Sequence, residues 1–457
     1  MPYNRQEECF MGRTYSIVLC ICLLSFALPV FGGSPFSGQE EEWNGFSLVR
    51  QEGADTPSCE IIVPGNEAEG KPWLWCTSSP DEHGALLRSL LEKGFHIVYQ
   101  KSRSAATFSV CLQQRDALYN WLTDTASLSK KPLLEASGAD ALAGFAWAAE
   151  HPECVAAIFS VLPLLSPHTS EDAAISEADW EALAQWLEVD SAASFAKTPL
   201  ACASALGAAK IPMMLVKKLP VSKWTGEQYD KFYYDYRVAG SGSYDLISCP
   251  EKASSEDAGL LFHEQFFFMK YGGLMKETAV GEGVDEASPW VVADFSSQSG
   301  VYMLDDVLVL EKGSDMTGIR WREALPSGGY EITLDAMRLS GSDFFCGLTV
   351  PYEESAFSLI VGGWGGTCVG ISNLNWQDAY NNETARFKTF NSHEWYSIRL
   401  RVDGEHIEAW IDGEQMVDVK VDGRDVDIRW EMMPVKPLGI ATWRTMGAIR
   451  NFRVTPL

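Results

Sequence analysis

Two kinds of hydrophobic spacing divide the chain. From Cys59 to about residue 270, short apolar runs alternate with stretches whose apolar positions recur at helical spacing. The runs at 59–64, 73–76, 95–100, 132–136 and 155–161 predict strands, and residues 210–216 and 244–249 predict later strands of the same sheet. Residues 84–93, 112–123 and 140–150 predict helices, the second with Leu118, Trp121 and Leu122 on one face. Alternating strand and helix implies a mostly parallel sheet with helices on both sides.

After about residue 286 the period changes to two. Residues 397–402 and 406–411 alternate apolar with polar, and Asp-Gly pairs stand at 403–404, 412–413 and 422–423. Such pairs are the strongest short-range signal for a hairpin, so this half is expected to be an antiparallel sandwich. The domains are therefore expected at 46–285 and 286–457, with residues 33–45 as an exposed linker.

Residues 17–31 are an uninterrupted run of apolar and small residues, with Arg13 before it and Val30-Phe31-Gly32 at its end. This pattern predicts a signal peptide over 1–32. The run is shorter than the ~20 residues of a membrane span. The expected location is secreted, periplasmic or cell-envelope. An uncleaved signal or a lipid anchor on Cys20 or Cys22 is the remaining route to a membrane.

The 457 residues exceed one ordinary core and agree with two domains. The formal charge of −26 argues against a nucleic-acid partner, which needs a basic surface to neutralise phosphates. The acid is spread over both halves and marks no site. Eight cysteines remain beyond the signal, with no Cys-x-x-Cys and no nearby His pair, so zinc is not expected. No cofactor is expected, and a structural calcium stays open, although no run of ligands demands one. For Cys346 and Cys368, a disulfide and two buried thiols are both open.

In the first half, Lys130-Lys-Pro-Leu-Leu-Glu-Ala-Ser-Gly-Ala-Asp-Ala141 lies where a strand runs into a helix. Together with Gly70-Lys-Pro-Trp-Leu-Trp75, Leu91-Glu-Lys-Gly-Phe-His-Ile-Val-Tyr99 and His151-Pro-Glu-Cys-Val155, it resembles a family of secreted bacterial α/β-hydrolases. The resemblance places residue 138 at the nucleophile elbow, where this chain has Gly138 and no attacking oxygen. Ser137 is one residue away. The family's acid would fall at 164–166 and its histidine at 254–255, and neither place holds such a residue. The implied domain is an α/β-hydrolase that has lost nucleophile, acid and base together. His263 is expected to pack a helix.

In the second half, the segments Asp343-Phe-Phe-Cys-Gly-Leu-Thr-Val-Pro351, Phe357-Ser-Leu-Ile-Val-Gly-Gly-Trp-Gly-Gly366 and Lys436-Pro-Leu-Gly-Ile-Ala-Thr-Trp443 resemble the concanavalin-A-like jelly roll of the 3-keto-disaccharide hydrolase family. More typical members carry Tyr-Glu-x-Gln where this chain has Leu359-Ile-Val-Gly-Gly363, so the catalytic role does not transfer with the fold. Aromatic rings stack on pyranose faces, and short amides and carboxylates bond hydroxyls. Trp364, Asn373, Asn375, Trp376, Asn382, Trp443 and Arg444 are thus the expected carbohydrate contacts, with core packing as the competing role for the tryptophans. Asp378 and Glu383 are the expected acid/base pair if a glycosidic bond is cleaved. His406, Glu408 and Asp412 read as one solvated strand face. The function expected is an exported carbohydrate-active or carbohydrate-binding protein. The alternatives are an active glycosidase or esterase and a non-enzymatic envelope module.

Overall fold

The seven apolar runs of the first half become strands of one sheet, and two further strands, Gln39–Trp43 and Phe46–Gln51, extend it at one edge. The computed structural model describes residues 36, 38–52, 58–167, 177–191, 194–240, 242–250, 257–285, 288–326 and 328–457. The signal segment, Cys20 and Cys22, and the expected histidine position at 254–255 lie outside these. The first sheet contains β1 (Gln39–Trp43), β2 (Phe46–Gln51), β3 (Cys59–Val63), β4 (Trp73–Cys76), β5 (His96–Tyr99), β6 (Leu133–Glu135), β7 (Ala157–Val161), β8 (Met213–Leu219) and β9 (Tyr244–Pro250). Its order is β1-β2-β3-β5-β4-β6-β7-β8-β9. Strands β1 to β3 and β5 pair antiparallel, and β5 onward are parallel. This crossover of β4 and β5 beside an antiparallel edge is the α/β-hydrolase arrangement.

The expected linker at 33–45 is corrected here. Residues 39–43 form edge strand β1, because Gln39 to Trp43 register with Arg50 to Phe46 across a tight turn at Asn44-Gly45. The acidic side chains of β1 stay exposed, which suits a charged sheet edge.

Helices cover both faces. The core on one side collects α2 (Phe108–Asn120), α3 (Ala141–Glu150), α4 (Glu177–Leu187), α5 (Pro199–Ala208) and α6 (Lys223–Ala239). The other side holds α1 (Gly84–Glu92) and α7 (Ala258–Tyr271). Among the described residues no helix is long and apolar enough to cross a membrane.

The second half is a two-sheet antiparallel jelly roll. Its front sheet runs β10 (Trp290–Val292), β13 (Met316–Trp321), β22 (Gly439–Trp443), β15 (Cys346–Tyr352), β16 (Ser355–Gly362), β17 (Cys368–Ser372) and β18 (Arg386–Phe387). Its back sheet runs β11 (Val301–Leu304), β12 (Val307–Leu310), β23 (Met446–Pro456), β14 (Tyr330–Ser340), β19 (Trp395–Asp403), β20 (His406–Ile411) and β21 (Glu414–Lys420). Alternation in β14 explains how the back sheet buries two surfaces. Ile332, Leu334 and Ala336 enter the sandwich core, whereas Met337 and Leu339 join the core around α1 and α7. The two folds thus share one hydrophobic seam, and residues 36–457 form one compact unit.

Candidate functional site

Strand β6 leads through Gly138–Asp140, a short 3-10 turn, into α3. Gly138 occupies the tip with φ +54, a left-handed backbone that glycine adopts without steric cost. Ser137 does not project a free hydroxyl from that tip: its Oγ accepts a bond from the Val161 amide at 2.9 Å. The Leu164 amide closes the turn by donating to the Gly138 carbonyl at 2.8 Å. Leu164 and Leu165 are buried apolar groups, where a hydrolase of this type places its acid.

Glu135, at the end of β6, is almost fully buried. Its carboxylate accepts bonds from the Thr77 and Ser78 amides and from Ser78 Oγ, each at 2.9 Å. These amides follow β4, the position from which hydrolases of this fold aim an N–H at a developing oxyanion. An internal carboxylate therefore already takes the donors.

A cavity of about 850 Å³ opens beside the elbow and is lined by Ser137, Gly138, Tyr99, Lys101, Trp186 and His83 among others. His83 was passed over in the sequence because it follows β4 rather than a late strand. Its Nε2 lies 3.9 Å from Glu135 Oε1, beyond hydrogen-bond reach. His263 lies elsewhere, fully buried on α7.

The second cavity, of about 270 Å³, sits on the front sheet of the jelly roll. Strand alternation makes its floor: Met316, Ser358, Ile360 and Ser372 point away from the sandwich core whose positions Leu359 and Ile371 fill. Trp364 and Trp443 form walls, and Asp343, Arg429 and Glu431 bring charge. Trp364 stands on a turn at Gly363–Gly366 with φ 48 and ψ 59, an uncommon conformation for a bulky residue. Gly362 is required there: a Cβ would stand 2.8 Å from Arg338 Nη2, which donates to the Gly366 carbonyl. Gly362, Gly365 and Gly366, all at positive φ, serve this turn.

Arg429 is held by Glu431, with Nε and Nη2 donating at 3.2 and 2.7 Å. Those hydrogen bonds raise the Arg429 pKa above its ordinary value. Burial pushes the Glu431 carboxyl up, but the Arg429 bonds outweigh it and hold it below the usual carboxylate range. Asp378 lies behind, with Oδ2 3.7 Å from Arg429 Nη1. An aromatic wall, a paired guanidinium and carboxylate, and small hydroxyls on a firm floor can stack one ring and bond its substituents.

Several expected contacts have other duties. Asp378 Oδ1 accepts from the Tyr380 and Asn381 amides, and Glu383 is ion-paired with Arg424. Neither carboxylate lines the cavity. Asn382 is buried, and its Nδ2 donates to the carbonyls of Ile371, Gln377 and Asp378. Asn375 Oδ1 accepts from the Asp425 amide, and Asn373 Oδ1 from Ser372 Oγ. Trp376 donates its indole N–H to Asp425 and leaves its ring exposed. Arg444 pairs with Asp315 at 2.7 Å outside the cavity. Asp343, Arg429 and Glu431 were missed because no motif joins positions so far apart.

Cys346 and Cys368 are free thiols. They belong to the sandwich core and to the outer cluster with Ile360 and Ala379 respectively, on opposite faces of the front sheet, which rules out the disulfide. On the back sheet, His406, Glu408 and Asp418 bring ligand-type atoms within 4.8 Å of one another. Asp412, expected on that face, instead accepts from the Ser397 amide.

The strand orders define an α/β-hydrolase-like domain joined to a jelly roll. Residues 296–455 match the family model of the 3-keto-alpha-glucoside-1,2-lyase-like domain. Among solved structures, the chain is similar to carboxyl esterase 2 from Tuber melanosporum at 13% identity and TM-score 0.39, covering 55% of this chain and 92% of that one. It is similar to Est1E from Butyrivibrio proteoclasticus at 14% identity and TM-score 0.34, covering 51% and 99%. A carbohydrate-binding module from Bacillus subtilis is similar at 9% identity and TM-score 0.26, covering 37% and 96%. No curated protein sequence matches the chain.

Proposed function

We propose that this is an exported carbohydrate-binding protein whose jelly roll contacts glycan and whose α/β-hydrolase-like domain has no working triad. The observation that carries the reading is the front-sheet cavity, where Trp364 and Trp443 face Arg429, Glu431 and Asp343. The family of the second domain adds a sugar as the ligand class. Loss of the triad is supported by Gly138 at the elbow tip, Ser137 Oγ bonded to Val161, and Glu135 on the amides after β4. Export rests on the apolar run at 17–31. The acidic surface favours no nucleic-acid partner.

A second reading is glycoside cleavage in the same cavity. Asp343 and Glu431 are the two carboxylates that line it, and they replace Asp378 and Glu383 as the pair to test. The deciding experiment is calorimetric titration of the full chain with mono- and oligosaccharides, alongside Trp364→Ala. Binding that falls by about 2 kcal/mol in the variant is expected for a buried aromatic anchor. No binding across a broad panel sinks the proposal, and turnover lost in Glu431→Gln would favour the second reading.

A further inference from the structure

The front-sheet cavity does not end the aromatic surface. Trp364 stacks with Tyr380 at a centroid distance of 6.1 Å and an interplanar angle of 30°, and Tyr380 meets Phe387 edge-on at 5.7 Å. All three are solvent-exposed, at 39%, 49% and 61%. Beyond β10, the exposed large hydrophobics among the described residues are Trp364, Trp376, Tyr380, Phe387, Trp430, Met433 and the terminal Leu457. All but the last lie in segments flanking the front-sheet cavity. Exposed apolar surface gathered in this way marks a binding site rather than scatter.

Resting on the glycan reading, we propose that the cavity is one subsite of a longer site for a linear oligosaccharide. A single sugar ring enters the cavity, and the chain continues past Trp364 over Tyr380 and Phe387. The cavity, at about 270 Å³, falls just below the range of about 300–1,000 Å³ for pockets that enclose a drug-sized ligand, so it suits one ring and not a chain. The rings beyond it are fixed before any ligand arrives. Phe387 sits in β18, paired to β17 through Cys368, and the Tyr380 amide is tied to Asp378. Fixed rings lose little freedom on binding.

Polar groups border this run of touching rings. Asp378 and Asn381 flank Tyr380 in the chain and bond each other, Glu383 is ion-paired with Arg424, and Arg386 precedes Phe387. A protein partner would select a continuous apolar centre depleted of charge. A narrow strip of rings bordered by hydrogen-bonding groups fits a ligand with apolar faces and hydroxylated edges, which is a sugar chain.

The test is titration of the full chain with glucose, maltose, maltotetraose and maltohexaose, and with the β-1,4-linked glucose and xylose series of the same lengths. In the series that binds, the hexamer is expected to bind at least about tenfold more tightly than the monomer, the scale of one added aromatic contact. In Tyr380→Ala and Phe387→Ala that ratio is expected to fall toward one. Each variant is checked for an unchanged unfolding temperature, and Phe387→Trp should restore the ratio. Equal affinity for monomer and hexamer overturns the extended site and leaves the glycan reading standing. A length dependence unchanged in both alanine variants also overturns it. No binding in any series overturns the glycan reading and this site with it.

Discussion

His263 on α7 and His393 in the loop before β19 share a hydrogen bond across the seam between the two folds, Nδ1 to Nε2 at 3.1 Å. Their rings stack at 30°. One imidazole must donate and the other accept, so the two cannot both be charged while the bond holds. Burial pulls His263 down to about 3. Burial, then the neighbouring His263, pull His393 down to about 3, while Asp257 opposes.

Stability should therefore depend on pH from two directions. The folded state binds fewer protons at the two histidines than the unfolded chain, so their contribution is complete above about pH 6.5 and is lost as pH falls toward 3. Glu264 acts in the opposite sense, because burial raises its carboxyl to about 8 from an ordinary 4.5. Its folded form keeps a proton that the unfolded chain releases, so stability declines as pH rises from about 4.5 to 8. Thermal unfolding followed between about pH 3 and 9 should peak near neutrality. Glu264→Gln should flatten the alkaline limb, and an unchanged profile would refute the assignment.

The seam should make the two folds unfold together. Phe266 and Phe268 of α7 pack with Tyr302, Leu304 and Val309 of the back sheet in one buried cluster. Lys270 is ion-paired with Glu311 in the same region, and Lys93 reaches Asp305 at 2.6 Å. Calorimetry should show a single transition, and Phe268→Ala should lower it by about 3–5 kcal/mol of stability. Two separate transitions would show that the folds are independent. Excised residues 286–457 should aggregate, because the back sheet would expose this apolar face.

The elbow should resist repair by a single residue. Gly138→Ser puts a hydroxyl at the tip, where a Cβ meets nothing within 4 Å. No p-nitrophenyl ester turnover is expected, because Glu135 holds the amides of Thr77 and Ser78 and, among the described residues, no histidine bonds the tip. Ser137→Ala should instead cost about 1–3 kcal/mol by leaving the Val161 amide without its partner. Ester hydrolysis lost specifically in Ser137→Ala would reverse this reading.

Asn382 should behave as a structural residue. Its side chain donates to three carbonyls and accepts from the Thr384 amide and hydroxyl. Asn382→Ala should destabilise the jelly roll by at least about 2 kcal/mol, since several buried groups lose partners at once. Asn382→Asp should not rescue it, because a carboxylate cannot donate. Chemical denaturation of both variants checks this, and a loss of sugar affinity at full stability would return Asn382 to the binding surface.

Local pattern carried most of the fold and little of the site. Apolar runs at 73–76, 132–136 and 155–161 become β4, β6 and β7 because burial on both faces demands continuous hydrophobicity. Trp364 and Trp443, which line the front-sheet cavity, stood out in the sequence because an aromatic next to glycines, or at the end of a strand, is conspicuous locally. Asp378 and Glu383 stood out for the same reason, nearness in sequence, and the fold gives Asp378 partners in its own loop and Glu383 a partner in Arg424. Asp343, Arg429 and Glu431 meet only when β15, β16 and β22 pair and the 430–435 turn folds over them.

The seam shows the same division most clearly. Met337 and Leu339 look like exceptions to the alternation of β14, and the sequence holds no sign of what covers them. Helix α7 covers them, from a fold that ends before β10 begins. Periodicity records whether a residue is buried, since that depends on the chain's own geometry. Which distant surface does the burying depends on packing between elements, and neither the paired histidines nor the Glu135 carboxylate on the Thr77 and Ser78 amides exists before that packing forms.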